Sequence, residues 1–78
     1  MRILFFAHLL SVTGRTELEL PDGELDTDAL WRRLEGLHPG LARFRGSLRL
    51  ARNSEFVGSD TRFAAGDEVA LIPPVSGG

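Results

Sequence analysis

The chain reads as a single α+β domain in which one helix packs on one face of a mixed sheet, with the elements in the order ββαβββ. Three observations predict this. Both ends of the folded region, Arg2–His8 and Glu68–Ile72, are rich in the aliphatic and aromatic residues that suit strands. Only one stretch, following Asp26, repeats its apolar residues at helical spacing. The segments between alternate polar and apolar residues and are cut by Gly, Pro and Asn turns.

The elements follow in order. Arg2–His8 forms the first strand, and Val12-Thr13-Gly14-Arg15 the turn after it, with Gly14 supplying the turn. Thr16-Glu17-Leu18-Glu19-Leu20 has the two-residue period of a half-buried strand, and Pro21-Asp22-Gly23 ends it. Asp26 is placed to cap the helix, and Asp28 adds negative charge to its first turn. Leu25 stands before the cap at the spacing that lets it pack on Leu30. Leu30, Leu34 and Leu37 share one helical face with Trp31 beside them, and Gly36 and Pro39-Gly40 bound the end. Leu41–Arg45 reads as a loop or a short turn. Ser47–Arg52 alternates again, Asn53-Ser54 turns, Glu55-Phe56-Val57 is a short strand, and a turn-rich link over Thr61–Asp67 leads into Glu68–Ile72. The apolar first and last strands are expected side by side at the centre of the sheet, running parallel.

Parity then assigns the two faces, because successive side chains of a strand point to opposite sides. Ile3, Phe5, Val69 and Leu71 are expected beneath the helix. Leu4, Phe6 and Ile72 then point to the other face, and Phe56 can join them. An apolar cluster there either marks a partner site or lies under the 41–46 or 54–66 loops.

Composition narrows the function. At 78 residues the chain is near the lower size limit for a domain without staples, and without cysteine it can have neither disulfides nor thiolate metal sites. Its core must come from aliphatics and five Phe. No apolar run approaches the roughly 20 residues of a membrane span. The first residues read as a strand of a cytoplasmic protein rather than a signal peptide. A net charge of −2 gives no footprint for nucleic acid. All nine basic residues are arginine, as a GC-rich genome would encode them. With no lysine, the N-terminal amine is the one group able to accept an isopeptide or Schiff-base linkage.

Residue patterns that would carry chemistry inside a pocket are missing. His8 and His38 have no metal-ligand spacing. Asp67 and Glu68 are strand neighbours and point apart, so they make no acid/base pair. Ser47, Ser54, Ser59 and Ser76 lack a nucleophile elbow, and Gly36, Gly40 and Gly46 form no phosphate loop. Arg43, Arg45, Arg49 and Arg52 make a local basic stretch, either a solvated face or an anion site. What remains is the end of the chain. Leu71-Ile72-Pro73-Pro74-Val75-Ser76-Gly77-Gly78 leaves a strand, is stiffened by two prolines, and presents an α-carboxylate on residues without a Cβ, which tolerate close approach to another protein.

The start Arg2-Ile3-Leu4-Phe5-Phe6-Ala7 and the end Gly66-Asp67-Glu68-Val69-Ala70-Leu71-Ile72-Pro73-Pro74-Val75-Ser76-Gly77-Gly78 closely resemble the MoaD family, the small sulfur-carrying subunits of molybdopterin synthase. The resemblance runs the length of the chain and includes the Asn53–Val57 turn and strand. Thiamine-pathway sulfur carriers share the Gly-Gly end but generally not the Pro-Pro-Val-Ser approach to it. Two segments depart from the family: the helix is short, and Leu9-Leu10-Ser11-Val12-Thr13-Gly14 is compact where a longer loop is common.

The resemblance implies the ubiquitin-like β-grasp fold over residues 1–73, with 74–78 as a flexible tail. It implies a cycle at Gly78: adenylation of the carboxylate by an E1-like adenylyltransferase using MgATP, then conversion to a thiocarboxylate by a sulfur donor. The loaded carrier then docks on the large subunit MoaE, in a heterotetramer, and sulfur passes to cyclic pyranopterin monophosphate to make molybdopterin. Phe6, Phe56 and Ile72 would dock on the partner, and Pro73, Pro74, Val75, Ser76 and Gly77 would reach into it. The carrier would hold no cofactor or metal, act as a non-catalytic subunit, and contact neither nucleic acid nor membrane. A sulfur carrier for another pathway (thiamine, tRNA thiolation or cysteine synthesis) and a protein modifier joined to target lysines would use the same activation chemistry.

Overall fold

A computed structural model describes residues 1–73. The expectations for Pro74, Val75, Ser76, Gly77 and Gly78 lie outside the described residues.

The principal sheet has five strands: β1 (Arg2–Phe5), β2 (Glu17–Glu19), β4 (Arg49–Arg52), β5 (Glu55–Val57) and β7 (Glu68–Ile72), in the spatial order β2-β1-β7-β4-β5. β1 and β7 run parallel at the centre, with Ile3 opposite Val69 and Phe5 opposite Leu71. The flanking pairs are antiparallel. A parallel pair cannot be closed by a tight turn, and here the whole of the chain between β1 and β7 makes the connection. A second, two-residue ladder pairs β3 (Leu25–Asp26) with β6 (Arg62–Phe63). Counting the strands of the principal sheet and the long helix α2 (Thr27–Leu37) recovers the order ββαβββ.

Helix α2 starts as its sequence dictates. Asp26 is extended, and its carboxylate accepts the Ala29 N–H at 2.8 Å. Leu30, Trp31 and Leu34 are buried against the sheet residues Ile3, Phe5, Val69 and Leu71, all of which are 3% exposed or less. Leu37 does not join them. It is the last helical residue, and the chain leaves the helix at His38, so 44% of it stays exposed.

Four local expectations are corrected. First, the initial strand stops at Phe5 rather than running to His8. Ala7 has φ 54°, a left-handed conformation that ends the extended run. Second, residues 9–13, read as loop, form a short helix α1 (Leu9–Thr13) that buries Leu9, and Gly14 closes it at φ 73° with its N–H donating to Leu10 O. Third, the ambiguous 41–45 segment lies within a 3-10 helix, Pro39–Ser47, which sinks Leu41 into the core. Fourth, β6 breaks up the 61–67 link because Phe63 is fully buried and its backbone pairs with Leu25.

One turn fastens the start of β7. Asn53 and Ser54 adopt φ 51° and 74°, making the tight β4–β5 turn with mirror-image geometry. Asn53 also accepts the Glu68 N–H on its side-chain oxygen at 3.0 Å, and its backbone N–H donates to Glu68 O at 2.8 Å. The N-terminal ammonium is enclosed beside the same sheet: it donates to Leu20 O at 2.8 Å and faces Glu19 at 3.4 Å.

Candidate docking face and carrier segment

The register of the five strands settles what faces away from α2. Leu4 lies beside Ala70, Ala70 opposite Ala51, Ala51 opposite Phe56, and Arg49 opposite Ile72. These residues share a parity, with Phe6 one step beyond β1. Leu4, Phe6, Ala51, Phe56, Ala70 and Ile72 line a shallow cleft of about 230 Å³. Phe6 is 47% exposed and Phe56 55%, so neither the 41–46 nor the 54–66 segment covers them. Ile72 and Pro73 are half-buried. The structure therefore brings Phe6, Phe56 and Ile72 to one face, and β7, which carries Ile72, leads through Pro73 into residues 74–78.

Sequence reasoning missed Leu10. In α1 it points outward while Leu9 points into the core, leaving Leu10 39% exposed. A second recess of about 390 Å³ runs between Leu4, Phe6, Leu10 and Thr16, extending the apolar surface past Phe6. The Leu9-Leu10 doublet was the available signal, since a helix exposes one of two adjacent leucines where a core contacts the other.

The opposite side of the molecule holds a recess of about 410 Å³ beside Trp31, Leu48 and Ser59. Asp28 and Arg45 pair within it, and Arg49 also lines it. Arg45 donates to Asp28 at 2.7 Å and lies 5.8 Å from the Trp31 ring centroid. That hydrogen bond, helped by the charge of Arg32, holds the Asp28 carboxyl below the usual carboxylate range. Of the basic stretch, Arg45 and Arg49 border this recess, while Arg43 lies over Phe44, the Arg49 guanidinium over Phe56, and Arg52 donates to Arg62 O. His8 packs beside Phe44 and His38 edge-on to Phe5. Among the described residues no group of three or more His, Cys, Asp or Glu could hold a metal ion, no buried side-chain polar atom lacks a partner, and no helix is long and apolar enough to cross a membrane.

A mixed sheet with one long helix across one face and an open apolar face on the other defines a small ubiquitin-like protein of the β-grasp kind. The chain belongs to the ThiS family, which it matches over residues 3–78. It is 37% identical over 82 aligned positions to the human molybdopterin synthase sulfur carrier subunit, covering 100% of this chain and 93% of the relative. It is likewise 37% identical to small archaeal modifier protein 1 of Haloferax volcanii, covering 94% of each. The crystal structure of that modifier superposes with a TM-score of 0.78 at 34% identity, over 99% of this chain and 97% of the other. The same fold, at 24% identity and a TM-score of 0.68, occurs in a complex of subunits 1 and 2 of molybdopterin-converting factor from Helicobacter pylori, covering 99% of this chain and 96% of that one.

Proposed function

We propose that the chain is the sulfur carrier subunit of a molybdopterin synthase, bearing sulfur as a thiocarboxylate on Gly78 and delivering it to cyclic pyranopterin monophosphate. The observation that carries this reading is that one strand does two jobs. β7 borders the exposed apolar face and leads directly into the Pro-Pro-Val-Ser-Gly-Gly segment. Docking that face therefore brings the carrier segment to the partner. The full-length match to relatives named sulfur carrier subunits supports the sulfur-carrying role.

A carboxylate is a poor electrophile, so activation comes first. An E1-like adenylyltransferase joins the Gly78 carboxylate to the α-phosphate of MgATP, and pyrophosphate leaves. A donor persulfide attacks the acyl carbon and AMP leaves; a thiol then cleaves the S–S bond of the acyl disulfide, releasing the thiocarboxylate, with sulfur in place of one carboxyl oxygen, and leaving a disulfide with the donor thiol. The loaded carrier docks on the large subunit, MoaE, through Phe6, Phe56 and Ile72, with Pro73, Pro74, Val75, Ser76 and Gly77 extending into its active site. Two carriers and two large subunits make a heterotetramer. Acid/base and anion-binding groups belong to the large subunit, and MgATP to the activating enzyme; this chain supplies an acyl carbon and a docking face.

A second reading is favoured by the Haloferax relative, whose name is that of a protein modifier. In that role the activated Gly78 would acylate lysines of other proteins. The two are separated by incubating the chain with its cognate activating enzyme, MgATP and a sulfur source. The sulfur-carrier reading expects a gain of about 16 Da in intact mass, the exchange of one oxygen for sulfur at the activated acyl carbon. It also expects molybdopterin to form once the large subunit and precursor are added. Deleting Gly78 should abolish both; if both survive the deletion, the reading fails. Lysine adducts without molybdopterin formation would establish the modifier instead.

A further inference from the structure

The open face is electrically polarised along its strands. At the end where β1 and β7 begin, Arg2 is already engaged. It pairs with Glu17 and, at 3.2 Å, with Glu68, and Glu19 lies opposite it in the register. Three carboxylates stand against one guanidinium and the N-terminal ammonium, which faces Glu19 at 3.4 Å, and that end keeps a net negative charge. The middle of the face is apolar: Leu4, Ala51, Phe56, Ala70 and Ile72. The other end, where β7 hands the chain on to the carrier segment, holds Arg49. Its backbone lies opposite Ile72, and its guanidinium sits 4.0 Å from the centre of the Phe56 ring. Arg49 is exposed, and among the described residues it forms no salt bridge.

A guanidinium stacked on an aromatic ring has part of its conformational freedom already removed, with all its N–H edges still available. It is set to receive a carboxylate in a planar, two-pronged bond. Building on the docking role proposed above, we propose that Arg49 fixes the orientation of the carrier on its partner by pairing with a carboxylate of the partner beside the entrance to the active site. The partner that fits is an apolar surface with an acidic group at that entrance and basic groups at the far end. Orientation is needed because apolar contact is non-directional, and a carrier turned end for end would point its terminus away from the active site. In the turned pose the partner's carboxylate would meet Glu17, Glu19 and Glu68, and like charges disfavour it.

The test is the affinity of the cognate large subunit for the wild-type carrier and for Arg49→Glu, Arg49→Met and Phe6→Ala, measured at low and high salt alongside each melting temperature. Arg49→Met keeps an apolar stem over Phe56 without the charge. Arg49→Glu is expected to weaken binding by more than about tenfold at low salt and Arg49→Met by less, with both differences shrinking at high salt as exposed charges are screened. Melting temperatures should stay within a few degrees of wild type, as for exposed substitutions. Wild-type affinity for Arg49→Glu at low salt, with Phe6→Ala still weakened, overturns the role of Arg49 and leaves the docking face standing. A loss that is independent of salt and accompanied by a lower melting temperature also overturns it, because Arg49 would then act through its packing on Phe56. Wild-type binding by Phe6→Ala and Arg49→Glu together removes the docking face itself.

Discussion

At the scale of single residues, the chain places its polar side chains where the backbone needs partners. Asp67 is the clearest case. Gly66, at φ 88°, makes the turn before β7, and the Asp67 carboxylate closes that turn by accepting the Ala64 N–H at 2.8 Å. It also accepts the Asn53 amide at 3.1 Å, which ties the turn to the β4–β5 hairpin. The backbone hydrogen bond first, and the Asn53 amide second, hold the carboxyl below its ordinary value near 3.8. A carboxyl whose pKa is depressed by folding stabilises the fold above its unfolded value, and that contribution is lost as pH falls through the folded value. Asp67→Asn should therefore melt a few degrees below wild type at neutral pH, and the gap should narrow in strong acid as the folded-state carboxyl takes up its proton. Thermal unfolding at neutral pH and in acid checks it; a gap that does not narrow in acid would mean that geometry rather than charge is at work. In the sequence Asp67 is legible as the end of the turn-rich 61–67 link. Its partner Asn53 was legible only as a turn residue, because the two are brought together by strand pairing across fourteen positions of sequence separation.

At the scale of elements, large apolar side chains have two fates. Leu34 on α2 and Leu41 on the 3-10 helix are fully buried, while Phe6 and Phe56 are about half exposed. Leu34→Ala and Leu41→Ala should each destabilise the fold by about 2–5 kcal/mol. Phe6→Ala and Phe56→Ala should cost much less in stability but weaken binding of the cognate large subunit by about tenfold or more, since burying one such side chain at an interface contributes roughly 1.5–3 kcal/mol. Melting temperature and partner affinity across the four variants supply the contrast. If the Phe variants unfold as readily as the Leu variants and any folded fraction binds normally, the two phenylalanines are structural. Parity along β1 and β7 made the two faces legible. The role of Leu41 was not, because a 3-10 helix leaves no sustained period in sequence and its burial depends on what it meets.

At the scale of the whole molecule, the proposed role makes the described fold a holder for chemistry at Gly78. The proposed role requires residues 75–78 to reach a partner's active site, a span of at most about 14 Å when extended. A side chain in such a channel would crowd it. Gly77→Val should accordingly leave the melting temperature unchanged and slow sulfur transfer to the large subunit's substrate by tenfold or more, about 1.4 kcal/mol in the barrier. Single-turnover transfer from pre-loaded carrier measures it, and a wild-type rate would count against threading. Neither result depends on the sheet, which is why stability and transfer must be read separately.

Much of this protein is set by its sequence alone. The strand and helix periods, the Asp26 cap, the turn at Asn53-Ser54 and the parity of Ile3, Phe5, Val69 and Leu71 are local or periodic properties. Each is written within a few residues of itself, and the structure reproduces them. The Gly77-Gly78 end and its approach are likewise plain text. Tertiary structure alone decided that Ala7 would turn the chain out of β1, that residues 9–13 would coil, that Phe63 would draw a two-residue ladder onto Leu25, and that Arg49 would rest on Phe56 at the carrier end of the open face. Those outcomes turn on which surfaces meet. Packing and cross-strand register join residues far apart in the chain, and no local period or propensity carries that information.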